Sequence, residues 1–133
     1  MNYIFDARVI QDHFPGIGRY AYNLLQHLPD ELQENECITA LVDDSAQSSY
    51  LKPRRIKNER IIFINAGRPI FSARNLFGYG ATAHLAADLY HFTYYVRPYG
   101  VGKPTVTTLY DAISHVYPQL VPSAPARIMI HLL

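Results

Sequence analysis

Gly16-Ile17-Gly18-Arg19-Tyr20-Ala21 is the segment of this chain whose residue types and spacing point most directly to chemistry. It matches G-x-G-x-x-A and opens an amphipathic stretch. Glycines at this spacing let a backbone come close to a pyrophosphate. The helix start behind them carries unsatisfied N–H groups and partial positive charge, so anion binding is its natural chemistry. In the dinucleotide fingerprint the glycines follow the first strand directly, and an acid near the end of the second strand takes the ribose. Here Gly16 lies ten positions past Asp6, although Asp43 and Asp44 stand where the acid would. That gap makes a nicotinamide dehydrogenase a minor reading. A plain tight turn into a helix is the reading without function.

Other candidates gather near the ends of strand-like runs. Tyr3-Ile4-Phe5, Cys37-Ile38-Thr39-Ala40-Leu41-Val42, Ile61-Ile62-Phe63-Ile64, Leu89-Tyr90-His91-Phe92 and Thr105-Val106-Thr107-Thr108-Leu109 are apolar and continuous rather than alternating. Strands buried on both faces of a parallel sheet have that pattern. Between the first two runs, Ala21, Leu24, Leu25 and Leu28 form one apolar stripe, which predicts a helix after Gly18 that stops as Pro29 pushes Leu28 out of the helical region. Residues 71–87 predict a second helix, weakened by Gly78 and Gly80, and Ser123 with Pro125 predicts the start of a third. Strands alternating with helices indicate an α/β, doubly wound fold. Asp6, His91, Tyr110 and Asp111 then fall at or just past carboxyl ends of strands, the edge where open α/β sheets bind ligands.

At that edge His91 has the chemistry to hydrogen-bond a ligand hydroxyl or stabilise a phosphate, against the plainer role of a satisfied core histidine. Asp111 is a candidate acceptor of ligand hydroxyls or a cap for the segment that follows. Asp6 is expected to pair with Arg8 in an exposed loop, worth about 0–1 kcal/mol. Tyr90, Phe92, Tyr94, Tyr95, Tyr99 and Tyr110 crowd the same region and offer rings to the apolar face of a ligand, though most of eleven tyrosines must serve packing. There is no Asp-x-Asp pair and no His-x-x-x-His, so no metal and no cofactor is predicted.

Composition narrows the setting. A length of 133 residues fits one domain with a core of its own. Hydrophobic residues at 49% exclude a disordered tail, and a net charge of +1 lacks the basic footprint of a nucleic-acid binder. The single Cys37 excludes an internal disulfide and a multi-cysteine zinc site. Neither a spanning apolar run nor a secretion signal is present, which predicts a cytoplasmic domain. The stretch from Ala46 to Asn58 holds Lys52, Arg54, Arg55 and Lys57 without an acid. Its functional reading is contact with phosphate or with anionic lipid at a membrane surface; a solvated loop is the plainer one. The last residues, 128–133, read as an apolar helical segment with no cap and no strand after it, so the chain is expected to be a truncated domain. An exposed apolar sheet face should then drive a homodimer or larger assembly, which light scattering would register.

Taken together, four blocks resemble a known family. Phe5-Asp6-Ala7-Arg8, the glycine segment with Asn23-Leu24-Leu25, Asp88-Leu89-Tyr90-His91-Phe92-Thr93-Tyr94-Tyr95 with Arg97-Pro98, and Thr107-Thr108-Leu109-Tyr110-Asp111-Ala112-Ile113 with Tyr117-Pro118 occur in the order and spacing of GT-B glycosyltransferases of family 4. The resemblance implies that residues 1–133 are a partial N-terminal, acceptor-side Rossmann-like domain, with the catalytic C-terminal domain absent. It implies a parent that moves a sugar from a nucleotide-diphosphate sugar to a glycan or lipid hydroxyl with retention, and a fragment that is inactive alone. Gly16, Ile17, Gly18 and Arg19 would lie at the donor diphosphate. Asp6, Tyr94 and Tyr95 would meet the acceptor, and His91, Tyr110 and Asp111 the reacting centre. The family often carries a histidine where this chain has Tyr110. A non-catalytic nucleotide or glycan receptor is the alternative from another class.

Overall fold

The computed structural model describes residues 1–77, 86–99, 101–121, 123–124 and 127. Five strands form one sheet: β1 (Asn2–Asp6), β2 (Cys37–Val42), β3 (Ile61–Asn65), β4 (Leu89–Phe92) and β5 (Thr105–Thr107). All neighbours are parallel, in the order β3-β2-β1-β4-β5. The chain is thus an α/β Rossmann-like domain, and the strand order reverses between β1 and β4. Connections after these two strands diverge there and leave a crevice at the carboxyl edge.

Register sorts the side chains onto two faces. Phe5 is opposite Ala40 on one side and His91 on the other. With Ile38, Val42 and Ile61, Phe5 and Ala40 pack on Ala21 and Leu25 of helix α1 (Pro15–His27). Ile4, Leu41 and Phe92 line the opposite face with Ala66 and Ala87. Continuous apolar runs therefore mark β1 and β2 correctly as doubly buried. The edge strands depart from that expectation, each leaving one face open: Ile62 is 53% exposed and Val106 is 46% exposed. Leu109, Ile113, Val116 and Leu120, beyond β5, are exposed as well.

Helix α1 differs from expectation at both ends. It begins at Pro15, so the glycines form its first turn rather than a loop before it. Proline suits that position, since its φ is already helical and its missing N–H would have had no partner. At the other end the α-helix stops at His27, yet Leu28 keeps helical angles (φ −55°, ψ −35°). The chain tightens into a 3₁₀ turn over Leu28–Glu31 instead of leaving the helical region. Pro29 has no N–H for the α-helical bond, and tightening is how the chain accommodates that loss.

Within residues 71–87 the described part is a short 3₁₀ turn, Ala73–Phe77, not a long helix; residues 78–85 lie outside the described set. Asn75 explains the turn, for its side-chain amide donates to the carbonyls of Pro69 (2.8 Å) and Ile70 (2.7 Å). A second short helix, α2, spans Ile113–Val116. The Arg127 N–H donates to the Ser123 carbonyl at 3.0 Å, the bond expected at a helix start, and residues 128–133 lie outside the description. Among the described residues no helix is long and apolar enough to cross a membrane.

Candidate functional site

The crevice between β1 and β4 is held by a buried polar knot. Asp6 ends β1, and both its carboxylate oxygens accept from the Arg8 guanidinium, at 2.8 and 2.6 Å. The side chains of the pair are 3% and 1% exposed. The expectation of an exposed, weak pair is thereby corrected: the chain turns over residues 7–10 directly after β1, and this brings the Arg8 side chain back onto Asp6 inside the molecule. Arg8 also donates to Asn75 Oδ1 at 3.1 Å, which ties the end of β1 to the Ala73–Phe77 turn. From β4's side the Thr93 hydroxyl donates to the Asp6 carbonyl. Asp6 therefore acts as a structural anchor at the end of β1, its carboxylate held by Arg8 and its carbonyl by Thr93.

Above the knot stands the start of α1. Gly18 is buried, and its N–H donates to the Phe14 carbonyl at 2.6 Å. The N–H groups of Gly16 and Ile17 reach no acceptor among the described residues. Phe14 supplies no side-chain cap and the first turn has no acid, so the positive end of the helix dipole is left for solvent or a ligand. Gly16 is exposed with open space around its Cα, Ile17 packs on the core, and Arg19 is exposed.

Aromatic rings surround this helix start. Phe14 meets Phe71 and Tyr94 at centroid distances of 5.7 Å, and Tyr20 meets Tyr110 edge-on at 5.6 Å. Tyr94 and Tyr95 lie against each other, with the Tyr94 hydroxyl donating to that of Tyr95 at 3.0 Å. Burial pushes the Tyr94 hydroxyl well above its usual range, and pushes Tyr110 up to about 12. Both hydroxyls stay protonated at neutral pH and act as donors. Tyr110 spends its proton on the Thr93 carbonyl at 2.9 Å. The fold thus joins Tyr94, Tyr95 and Tyr110 in one ring cluster that reaches the start of α1 through Phe14 and Tyr20.

His91 and Asp111 are placed differently. The His91 ring sits edge-on to Phe5, and Nε2 shares a hydrogen bond of 3.0 Å with the Thr108 hydroxyl. Burial lowers its pKa, so it is neutral at pH 7. That is the arrangement of a satisfied core histidine. Asp111 is exposed, and its Oδ1 accepts from the Ile113 N–H at 2.9 Å, so it secures the turn into α2 from one position before the N-cap, which is Ala112.

A depressed histidine pKa links stability to pH. The unfolded chain takes up the proton near pH 6.5 while folded His91 still resists it. Its contribution is complete above that pH and falls away as pH drops toward the lower folded value. Between about pH 7.5 and about pH 5 the urea midpoint should fall less in His91→Gln than in the parent, all other histidines being common to both. Equal slopes would remove His91 from the account.

The end of β2 leaves little room for a dinucleotide. Asp44 is held by Arg54 in a two-point pair (2.8 and 2.7 Å), and Asp43 accepts from Ser45. Arg54 draws Asp44 below the ordinary carboxylate range. The cavity there, lined by Asp43, Asp44, Lys52 and Arg54, measures about 230 Å³, under the roughly 300 Å³ at which small-molecule sites begin. The same pair answers part of the basic run between Ala46 and Asn58, one of whose cations is thus neutralised by an acid outside it. Among the described residues no three His, Cys, Asp or Glu side chains gather around a point that would suit a metal ion.

Sequence reasoning missed the Asp6–Arg8–Asn75 knot as a buried unit, since Asn75 lies 67 residues from Arg8 and no local pattern joins them. Comparison with protein-family models, curated proteins and solved structures gave no match to this chain.

Proposed function

We propose that this chain is the N-terminal, acceptor-side half of a GT-B glycosyltransferase of the family 4 type, acting in the cytoplasm on a nucleotide-diphosphate sugar and a glycan or lipid hydroxyl. The observation that carries the reading is the uncapped start of α1, with two unpartnered N–H groups at the strand-order reversal and tyrosine rings beside it. A departing diphosphate gains negative charge as the sugar–oxygen bond breaks. Fixed N–H dipoles aimed at it favour the transition state over the ground state. The rings offer apolar faces to a sugar and keep water from one side of it.

A second reading, a receptor that binds without reaction, draws on the state of the three residues nearest the expected reacting centre. His91 is neutral and hydrogen-bonded, the Tyr110 hydroxyl donates its hydrogen bond to a carbonyl, and Asp111 holds a turn. None is poised as a general base.

Titrating the amide NMR spectrum with UDP, GDP and NAD in parallel tests both. Shifts centred on Gly16, Ile17 and Gly18 with a nucleoside diphosphate, but not with NAD, are expected. Selective NAD binding would overturn the proposal. The chain alone is expected to bind without turnover, because the other wall of the cleft belongs to a second domain in that enzyme class. Sugar transfer by this chain by itself would contradict that.

A further inference from the structure

A second concavity lies apart from the glycine turn. It is formed by the segment after β4, the strand β5 and the turn into α2, and measures about 610 Å³. That lies in the range of sites that enclose a small molecule, roughly 300–1,000 Å³. Its wall carries four hydroxyl-bearing side chains, Tyr95, Thr105, Thr107 and Ser114, beside Leu109, Ala112 and His115. Two charged groups face the same space. Arg97 is half-buried and has no hydrogen-bond or ion-pair partner among the described residues. Asp111 uses Oδ1 on the Ile113 N–H and makes no hydrogen bond through Oδ2 among those residues.

Each of these features limits the occupant. A half-buried guanidinium without a partner is costly, and an anionic group in reach would relieve it with two parallel N–H donors. A carboxylate lobe is an acceptor alone, so it asks for donors, which hydroxyls supply. Threonine and serine hydroxyls both give and accept, and suit ligand hydroxyls at any rotation. An apolar wall of leucine and alanine matches the C–H face of a ring. We infer that this pocket binds a sugar-sized, polyhydroxylated molecule bearing one anionic group, with the anion on Arg97 and the hydroxyls on Asp111, Ser114 and the β5 threonines. The inference goes beyond the donor site, since none of Gly16–Arg19 lines the pocket.

The anionic group has two chemical sources, a sugar carboxylate or a sugar phosphate, and separate arms tell them apart. The full chain is titrated by amide NMR with glucuronate, glucose 6-phosphate, glucose and inorganic phosphate. One or both of the anionic sugars should give saturable shifts at residues 95–97 and 105–115, and both glucose and inorganic phosphate should bind at least about tenfold more weakly, since each lacks half of the recognised chemistry. Arg97→Gln should weaken the anionic sugar on the order of tenfold, the size expected for one charged hydrogen bond, and Arg97→Lys should restore part of it. Gly16 and Ile17 shifts with UDP should be the same in Arg97→Gln as in the parent, which shows the variant folded and keeps the two sites' tests independent. Three results would overturn the inference: no saturable shift up to about 10 mM, inorganic phosphate binding as well as the sugar phosphate, or undiminished binding in Arg97→Gln.

Discussion

Gly18→Ala should destabilise the domain by about 1–3 kcal/mol, whereas Gly16→Ala, two positions earlier in the same motif, should be neutral or stabilising by about 0.5 kcal/mol. A Cβ on Gly18 would stand 2.9 Å from the Val9 carbonyl oxygen and 3.4 Å from the Ile10 Cα. These are backbone atoms, so neither can swing aside as a side chain would. Relief must come from moving α1 off the 7–11 segment, and that segment carries Val9 and Ile10 into the core. Gly16 meets nothing within 4 Å, and it lies inside the helix, where alanine has less conformational entropy to lose. Urea midpoints of the two variants measure the difference directly. The same pair divides structure from binding. If UDP lies against the helix start, a methyl group on Gly16 occupies the ligand's approach, so Gly16→Ala should lose affinity while keeping or gaining stability. A Gly16→Ala that binds UDP as the parent does would leave both glycines with packing and turn roles alone.

The contrast between the glycines also shows where reading the sequence stops. Five apolar runs were legible as strands because a parallel sheet buries its inner strands on both faces, and β1 and β2 do so. The stripe Ala21, Leu24, Leu25, Leu28 was legible as a helix face for the same kind of reason, and Ala21 and Leu25 are fully buried. What a glycine is for was not legible. G-x-G-x-x-A describes a spacing, and the roles follow from what the 7–11 segment does overhead, a matter of tertiary packing. His91 is a similar case. Its place near a strand's carboxyl end suggested a ligand contact, but the parallel register sets it beside Phe5, and its Nε2 is taken up by the Thr108 hydroxyl. Strand alternation decides which of two neighbouring residues faces α1, and the continuous apolar pattern of β4 hides that alternation.

Arg8→Met should cost about 3–5 kcal/mol, the penalty of leaving a buried charge without its counter-ion. Asp6 would keep a carboxylate 3% exposed to water after losing both guanidinium donors. Asn75 would lose its Arg8 donor too, and with it one bond holding the Ala73–Phe77 turn to the end of β1. Such a loss exceeds what the charge pair itself adds to stability, because two ions taken from water recover little more than their desolvation. The pair should therefore show strong coupling. The double variant Asp6→Leu, Arg8→Met removes both charges and fills part of the space with apolar atoms, and it should be more stable than Arg8→Met alone. Urea unfolding of the parent, both single variants and the double variant gives the coupling energy. Additive losses would mean that Asp6 and Arg8 are held by other partners and that the crevice does not depend on their pairing. A double variant near the parent's stability would place the pair's worth in geometry. In that event the test moves to the site: the shifts of Gly16 and Ile17 with UDP should weaken in the double variant, because the knot fixes the strand end beneath the helix start that the ligand meets.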